Sequence, residues 1–209
     1  MELILKYFPD LTASQRRHFE MLGDLYKDWN AKVNLISRKD IGNLYERHVL
    51  HSLAIAKAFK FSDGSEILDV GTGGGFPGVP LAIILPEVGF HLIDGTLKKV
   101  KVVQEVVQAL GLENARAQQV RVEELKNARY DFIVTRAVAE MEQLRTWTLN
   151  RFKTKQQNPM PNGLIALKGG NVIHEMKALP KGEYTETHPI KNFFKEPYFE
   201  EKYVVYLQA

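Results

Sequence analysis

Asp69-Val70-Gly71-Thr72-Gly73-Gly74-Gly75-Phe76-Pro77-Gly78 gathers residue types that together can hold a nucleotide. It continues the apolar pair Ile67-Leu68 without a break, so it reads as a buried strand entering a glycine turn. Glycine has no side chain and adopts φ > 0 freely, which lets backbone N–H groups approach a ligand. Two fingerprints compete for the turn. Gly73, Gly75 and Gly78 satisfy the G-x-G-x-x-G of dinucleotide sites, as in a nicotinamide-dependent oxidoreductase. Asp69, Gly71, Gly73 and Gly75 satisfy the acid-x-G-x-G-x-G of proteins that use S-adenosylmethionine. With the strand ending at Val70, the second pattern puts its first glycine where the turn begins. A carboxylate at Asp69 would repel a pyrophosphate and suits the cationic ammonium of a methionine moiety. A structural turn that binds nothing is the blander reading.

Ligands of open α/β sheets lie beyond the carboxyl ends of the strands, and further candidates stand at those ends. Asp94, in Leu92-Ile93-Asp94-Gly95, lies 23 positions after Gly71, where an acid can accept hydrogen bonds from both ribose hydroxyls. It could instead cap a helix beginning near Leu97, although Thr96 is better placed to do so. Val120-Arg121-Val122-Glu123-Glu124 follows the third expected strand. There Val122 could pack on an adenine face and Glu123 read its edge, or the segment could be a plain loop. Arg136, in Thr135-Arg136-Ala137, puts a long cation beside the expected methyl-transfer position. It could hold the cofactor's carboxylate, an RNA phosphate or a structural carboxylate. Lys168, after Ala166-Leu167, invites the same readings. No Ser, His and Asp combination suggests a hydrolytic triad and no His-rich spacing suggests a metal site, so no catalytic group is named.

The elements that would carry these residues follow from pattern. Thr12-Ala13-Ser14-Gln15 has capping-box spacing, and Phe19, Leu22, Tyr26, Trp29 and Val33 recur at three and four residues as on an amphipathic helix. A second helix is expected over 41–59, with an inward stripe of Ile41, Leu44, His48, Ser52, Ile55 and Phe59. On that stripe His48 reads first as a half-buried, satisfied histidine. Ser62-Asp63-Gly64-Ser65 is a polar cluster that suggests a boundary between an N-terminal helical unit, 1–62, and an α/β domain, 63–209. Strands are expected at 67–70, 90–93, 115–119, 132–135, 164–167, 184–188 and 203–207, a seven-stranded doubly wound, Rossmann-like sheet. Between the second and third, Val100, Val103, Val107 and Leu110 mark a helix that Gly111 stops. Residues 153–163 read as a mobile surface connection, or as an RNA contact.

Composition narrows the classes. The 209 residues contain no cysteine, which excludes disulfides, thiolate metal sites and a cysteine nucleophile. Met1-Glu2-Leu3-Ile4-Leu5-Lys6 resembles neither a signal peptide nor a membrane span, so a cytoplasmic protein is expected. The net charge is +3, and the stretch around the glycine turn is acidic between two basic flanks, which would help nucleic-acid binding if the flanks face one way.

Asp69 to Leu81 also resembles the D-V-G-T-G-x-G-h-P-G-h-P-L signature (h apolar) of the small-subunit ribosomal RNA methyltransferase G family, or GidB. Pro77 and Pro80 distinguish that signature from other methyltransferases. Further matches are Trp29-Asn30, Asn34-Leu35, Arg47-His48, the 121–124 segment, Arg136-Ala137 and Leu167-Lys168-Gly169. The resemblance implies methyl transfer from S-adenosylmethionine to N7 of a guanine in small-subunit ribosomal RNA, free or within the subunit, by a monomer. It implies cofactor contacts at Gly71, Phe76, Val122, Glu123 and Arg136, with Asp94 near the ribose, and brings Arg47 and His48 towards the site. Two positions depart from it. His51 stands where the family commonly has Asp, so it cannot pair with Arg47 and would repel it when protonated. The final strand, Lys202-Tyr203-Val204, lacks the family's basic-His start.

Overall fold

Thr12 begins the first long helix as its spacing predicts. In the computed structural model, which describes residues 1–33, 35–37, 40–126, 128–136 and 138–209, its hydroxyl accepts the Gln15 N–H at 3.2 Å and the Gln15 side-chain oxygen accepts the Thr12 N–H at 2.9 Å. Such a cap contributes about 1 kcal/mol. A short α1 (Glu2–Tyr7) precedes α2 (Ala13–Lys32), which buries Phe19, Leu22 and Tyr26. The helix expected over 41–59 is not uniform. It runs as a 3-10 turn (Ile41–Asn43), a π-helical segment (Leu44–Leu50) and α3 (His51–Ala58). The wider π turn changes which residues share a face, so Leu44, Ser52, Ile55 and Phe59 are buried while Ile41 and His48 stand half-buried at the edge. Asn34 and Ala137, one member each of two matched pairs, lie outside the described residues.

The seven expected strands form one sheet: β1 (Glu66–Val70), β2 (Gly89–Asp94), β3 (Ala115–Gln119), β4 (Phe132–Arg136), β5 (Gly163–Gly169), β6 (Thr185–Pro189) and β7 (Lys202–Gln208). Their order is β3-β2-β1-β4-β5-β7-β6; the first five run parallel and β7 lies antiparallel to both neighbours. Val70 stands opposite Ile93 and Thr135, and Asp94 opposite Gln119, so the carboxyl ends of β1 to β4 share one rim. Helices α4 (Gly78–Ile84), α5 (Leu97–Leu110), α6 (Met141–Thr148) and α7 (Val172–Lys177) provide the crossovers. Gly111, at φ 62°, ends α5 as anticipated.

Both faces of the sheet are covered, as a parallel sheet requires. Ile67, Phe132, Ile165 and Tyr206 pack with α2 to α5 on one side, and Leu68, Ile133, Leu164 and Leu207 pack with α6 and α7 on the other. Side chains from 1–62 and from 63–209 thus belong to one core across the proposed boundary.

The 153–163 segment, which reads as mobile, is pinned. Asn158 Oδ1 accepts the Ser62 N–H at 2.7 Å, and Asn162 donates to the Lys153 and Lys155 carbonyls at 2.9 and 3.0 Å. Buried Asp131, just before β4, gathers the Glu66 N–H at 2.7 Å, Lys153 Nζ at 2.8 Å and the Gln157 amide at 3.3 Å. Replacing Asp131 by Ala would orphan all three, and Asp131→Ala is expected to lower unfolding free energy by about 3 kcal/mol in urea titrations. An unchanged midpoint would mean that this cluster does not secure the segment.

Candidate active site

Asp69 lies under the glycine turn. It is 0 % exposed, and its Oδ2 accepts the Thr72 hydroxyl at 2.7 Å and the Gly78 N–H at 2.8 Å, while Oδ1 has no partner among the described residues. Expected beside a cationic ligand group, the carboxyl has no exposed surface here and shapes the turn from behind. Gly78 is required for that approach, since a Cβ there would stand 2.7 Å from Asp69 Oδ2 and from a Leu92 methyl. Above, Gly71 has φ 68°, and a Cβ on it would meet a Val138 methyl at 2.6 Å.

The N-terminal unit braces the turn. The buried Tyr26 hydroxyl donates to the Gly74 carbonyl. Asn30 Oδ1 accepts the Leu35 and Ile36 N–H groups, each at 2.9 Å, and so shapes a loop whose Leu35 Cβ lies 3.6 Å from where a Gly74 Cβ would be. The matched Asn30 and Leu35 positions thereby acquire a structural reason.

A cleft of about 210 Å³ opens at the rim, lined by Gly71, Asp94, Val122 and Glu123 from the expected set, and also by Arg121, Val138 and Trp147. Asp94 Oδ2 accepts the Gly73 N–H at 3.0 Å and Oδ1 the Thr96 N–H at 2.8 Å, which leaves one acceptor site on each oxygen turned to the rim. Thr96 occupies the N-cap of α5 but makes no side-chain cap bond. The cleft fits an adenosyl group: a bare glycine at one end, an acid placed for a diol, and an apolar wall of Ile93, Val120, Val122 and Trp147 for a flat ring. Gly75 faces inward, where a Cβ would meet Val79 and the Tyr26 hydroxyl. Phe76, expected as a cofactor contact, has its ring buried between Tyr26 and His48, at 4.9 and 5.2 Å, and does not line the cleft.

Beside the end of β4 lies a second hollow of about 280 Å³, lined by Arg47, His48, Arg136 and Lys168 of the expected set, with His51, Tyr198 and Lys202. Its cations divide into two kinds. Arg47 pairs with Asp40 at 2.6 Å and Lys168 with Glu175 at 2.7 Å, so of the readings open for Lys168 the carboxylate partner is the one formed here. Arg136 and Lys202 have no carboxylate within ion-pairing distance among the described residues; the structural salt bridge considered for Arg136 is not formed. The Arg136 guanidinium instead donates to His48 Nδ1 at 3.0 Å and to the Arg47 carbonyl at 3.4 Å, over the Phe76 ring. Burial, with Arg136 adding to it, pushes the His48 pKa down to about 4, so His48 is neutral near pH 7. His51 is buried edge-on to Tyr198 and Phe199 with neither ring nitrogen bonded, and burial holds its pKa well below the usual histidine range. The repulsion expected between His51 and Arg47 therefore does not arise, and Asp40 supplies the carboxylate that position 51 lacks. Val138, Trp147, Tyr198 and Lys202 carry no local signal, because each reaches the rim from a distant segment.

Burial raises the Asp69 pKa to about 7 against the two hydrogen bonds that favour its charged form. The folded state then holds a proton that the unfolded chain releases near pH 4, so Asp69's contribution to stability falls as pH rises from about 4 to about 7 and is flat beyond. Asp69→Asn is expected to remove that slope: the unfolding free energy of wild type minus variant, from urea titrations, should decline across this range. A constant difference would show that Asp69 is ionised throughout.

The model of the GidB family, rRNA small subunit methyltransferase G, matches residues 15–195. A ribosomal RNA small subunit methyltransferase G from Bacteroides thetaiotaomicron is 54% identical over 208 residues, 100% of each chain. One from Flavobacterium psychrophilum is 52% identical over 207 residues, 99% of this chain and 97% of its own. A solved SAM dependent methyltransferase from Aquifex aeolicus, 19% identical, shares the fold with a TM-score of 0.55 over 82% of this chain and 98% of its own. With the glycine turn, Asp94 and the unpaired Arg136 set on one rim, and with this extent of sequence agreement, the chain belongs to the rRNA small subunit methyltransferase G family.

Proposed function

We propose that this protein transfers a methyl group from S-adenosylmethionine to N7 of a guanine in small-subunit ribosomal RNA. One observation carries the reading: a cleft with the chemistry of an adenosyl site adjoins, at the end of β4, a hollow that contains two cations without carboxylate partners. Family membership supports the same acceptor.

The cofactor supplies an electrophilic methyl group on a cationic sulfur. Asp94 would hold its ribose, Val122 and Glu123 its adenine, and the backbone at Gly71 and Gly73 would line its path. Guanine N7 has an in-plane lone pair and no proton at neutral pH, so no side chain has to act as a base. That agrees with a site whose histidines are kept neutral by burial and whose Asp69 is shut away. The protein's contribution is then alignment in a site that excludes water. Arg136 and Lys202 provide the positive field for an RNA phosphate, and neutral His48, with Nδ1 occupied by Arg136, has its proton on the other nitrogen. N7 faces the deep groove of A-form RNA, which side chains enter poorly, so the target is an unpaired base. The protein acts as a cytoplasmic monomer, on free RNA or on the small subunit. Among the described residues, no helix is long and apolar enough to cross a membrane.

Incubation with tritiated S-adenosylmethionine and undermethylated small subunits is expected to label 7-methylguanosine in the digested RNA. Label only in another base, a protein or a metabolite would overturn the acceptor assignment. Asp94→Ala, which removes the ribose acceptor, is expected to raise the KM for S-adenosylmethionine about 10- to 100-fold, with a smaller effect on the KM for RNA. Equal effects on both would move Asp94 out of the cofactor site.

A further inference from the structure

Lys168, buried, and Glu175, half-buried, form a pair that the reaction does not use. Lys168 is 7 % exposed, and its Nζ lies 2.7 Å from Glu175 Oε2 and 2.5 Å from the Ala139 carbonyl. The same Glu175 oxygen accepts the N–H of Met141, the first residue of α6, at 3.1 Å. Glu140, at the N-cap of α6, makes no side-chain cap bond, so a carboxylate from α7 performs that task across space. Three bonds thus converge on the connection between β4 and α6.

That connection and the helix after it supply two walls of the adenosyl cleft. Val138, one residue before Ala139, covers Gly71, and Trp147, on α6, faces Val122 across the cleft. Val138 is 40 % exposed, so apolar burial alone does not fix it there. A lysine on a strand end and a glutamate on a six-residue helix thus bond to the backbone between these two walls. We propose that Glu175 is a positioning residue for the cofactor: acting on the Met141 N–H directly and on the Ala139 carbonyl through Lys168, it holds Val138 and Trp147 at the width that an adenosyl group requires. The proposal rests on the reading of that cleft as the cofactor site.

The full chain tests it by calorimetric titration with S-adenosylhomocysteine and by steady-state kinetics. Loss of the bond to the Met141 N–H and of the partner that fixes Lys168 should raise the S-adenosylhomocysteine Kd of Glu175→Ala about 10-fold. KM for S-adenosylmethionine should rise in parallel, while kcat at saturating cofactor changes less than about 3-fold. Glu175→Gln keeps an oxygen for the Met141 N–H and loses the charge facing Lys168, so its Kd should fall between those of wild type and Glu175→Ala. A variant that only loosened the fold would lower the amount of active protein and leave the Kd of the folded fraction unchanged. If Glu175→Ala does not fold, Glu175→Gln decides alone: a raised Kd supports the proposal and an unchanged Kd overturns it. Wild-type Kd in a folded Glu175→Ala also overturns it, with the cofactor reading intact. No binding by the wild-type chain would overturn the cofactor reading itself, and the proposal with it.

Discussion

One buried oxygen of Asp69 accepts both the Thr72 hydroxyl and the Gly78 N–H, and so ties the two ends of the glycine turn together beneath its surface. A glycine-rich stretch gives up much conformational freedom when it becomes ordered, and its exposed N–H groups are of use only if the turn keeps one shape. The clamp below, Tyr26 at the side and Val138 above supply that constraint from three separate segments. The N-terminal helices are therefore part of the site. Their apolar faces complete the core, and one of their hydroxyls holds the turn's carbonyl.

Charge in the rim is arranged by pairing as much as by placement. Arg47, Arg136, Lys168 and Lys202 all approach the hollow beside β4. Asp40 neutralises the first and Glu175 the third, and each of these pairs orders a local segment. Arg136 and Lys202 remain available to an anion. The two histidines add no charge because burial keeps them neutral, so the field in the hollow comes from its arginine and lysine side chains.

Much of this architecture was legible locally. The Thr12 capping box, the Gly111 stop and the third strand occur where spacing put them, and the other strands differ by a residue or two at their ends. The π-helical segment at Leu44–Leu50 was not legible, because the apolar stripe from Leu44 to Phe59 fits an α-helical period and carries no mark of the wider turn. Nor was the pinning of residues 153–163, which depends on Asp131 and Ser62, far away in sequence. Of the expected site residues, Gly71, Asp94, Val122 and Glu123 line one cleft because each lies at or just beyond the carboxyl end of a strand, where pattern and topology coincide.

The sequence by itself determined the order of strands and helices, the glycine turn and the family to which these motifs belong, because hydrophobic period, capping and turn chemistry act over a few residues. The tertiary structure alone decided what each polar group does. Asp69, Phe76 and Lys168 look like ligand contacts in sequence; in the fold the first two are buried and the third has a carboxylate partner from α7. Arg136 meets His48 and, among the described residues, no carboxylate, and His51 is neutral because burial against Tyr198 and Phe199 disfavours its charged form. Desolvation and pairing depend on what else the folded chain brings within a few ångströms, and a linear pattern does not contain that information.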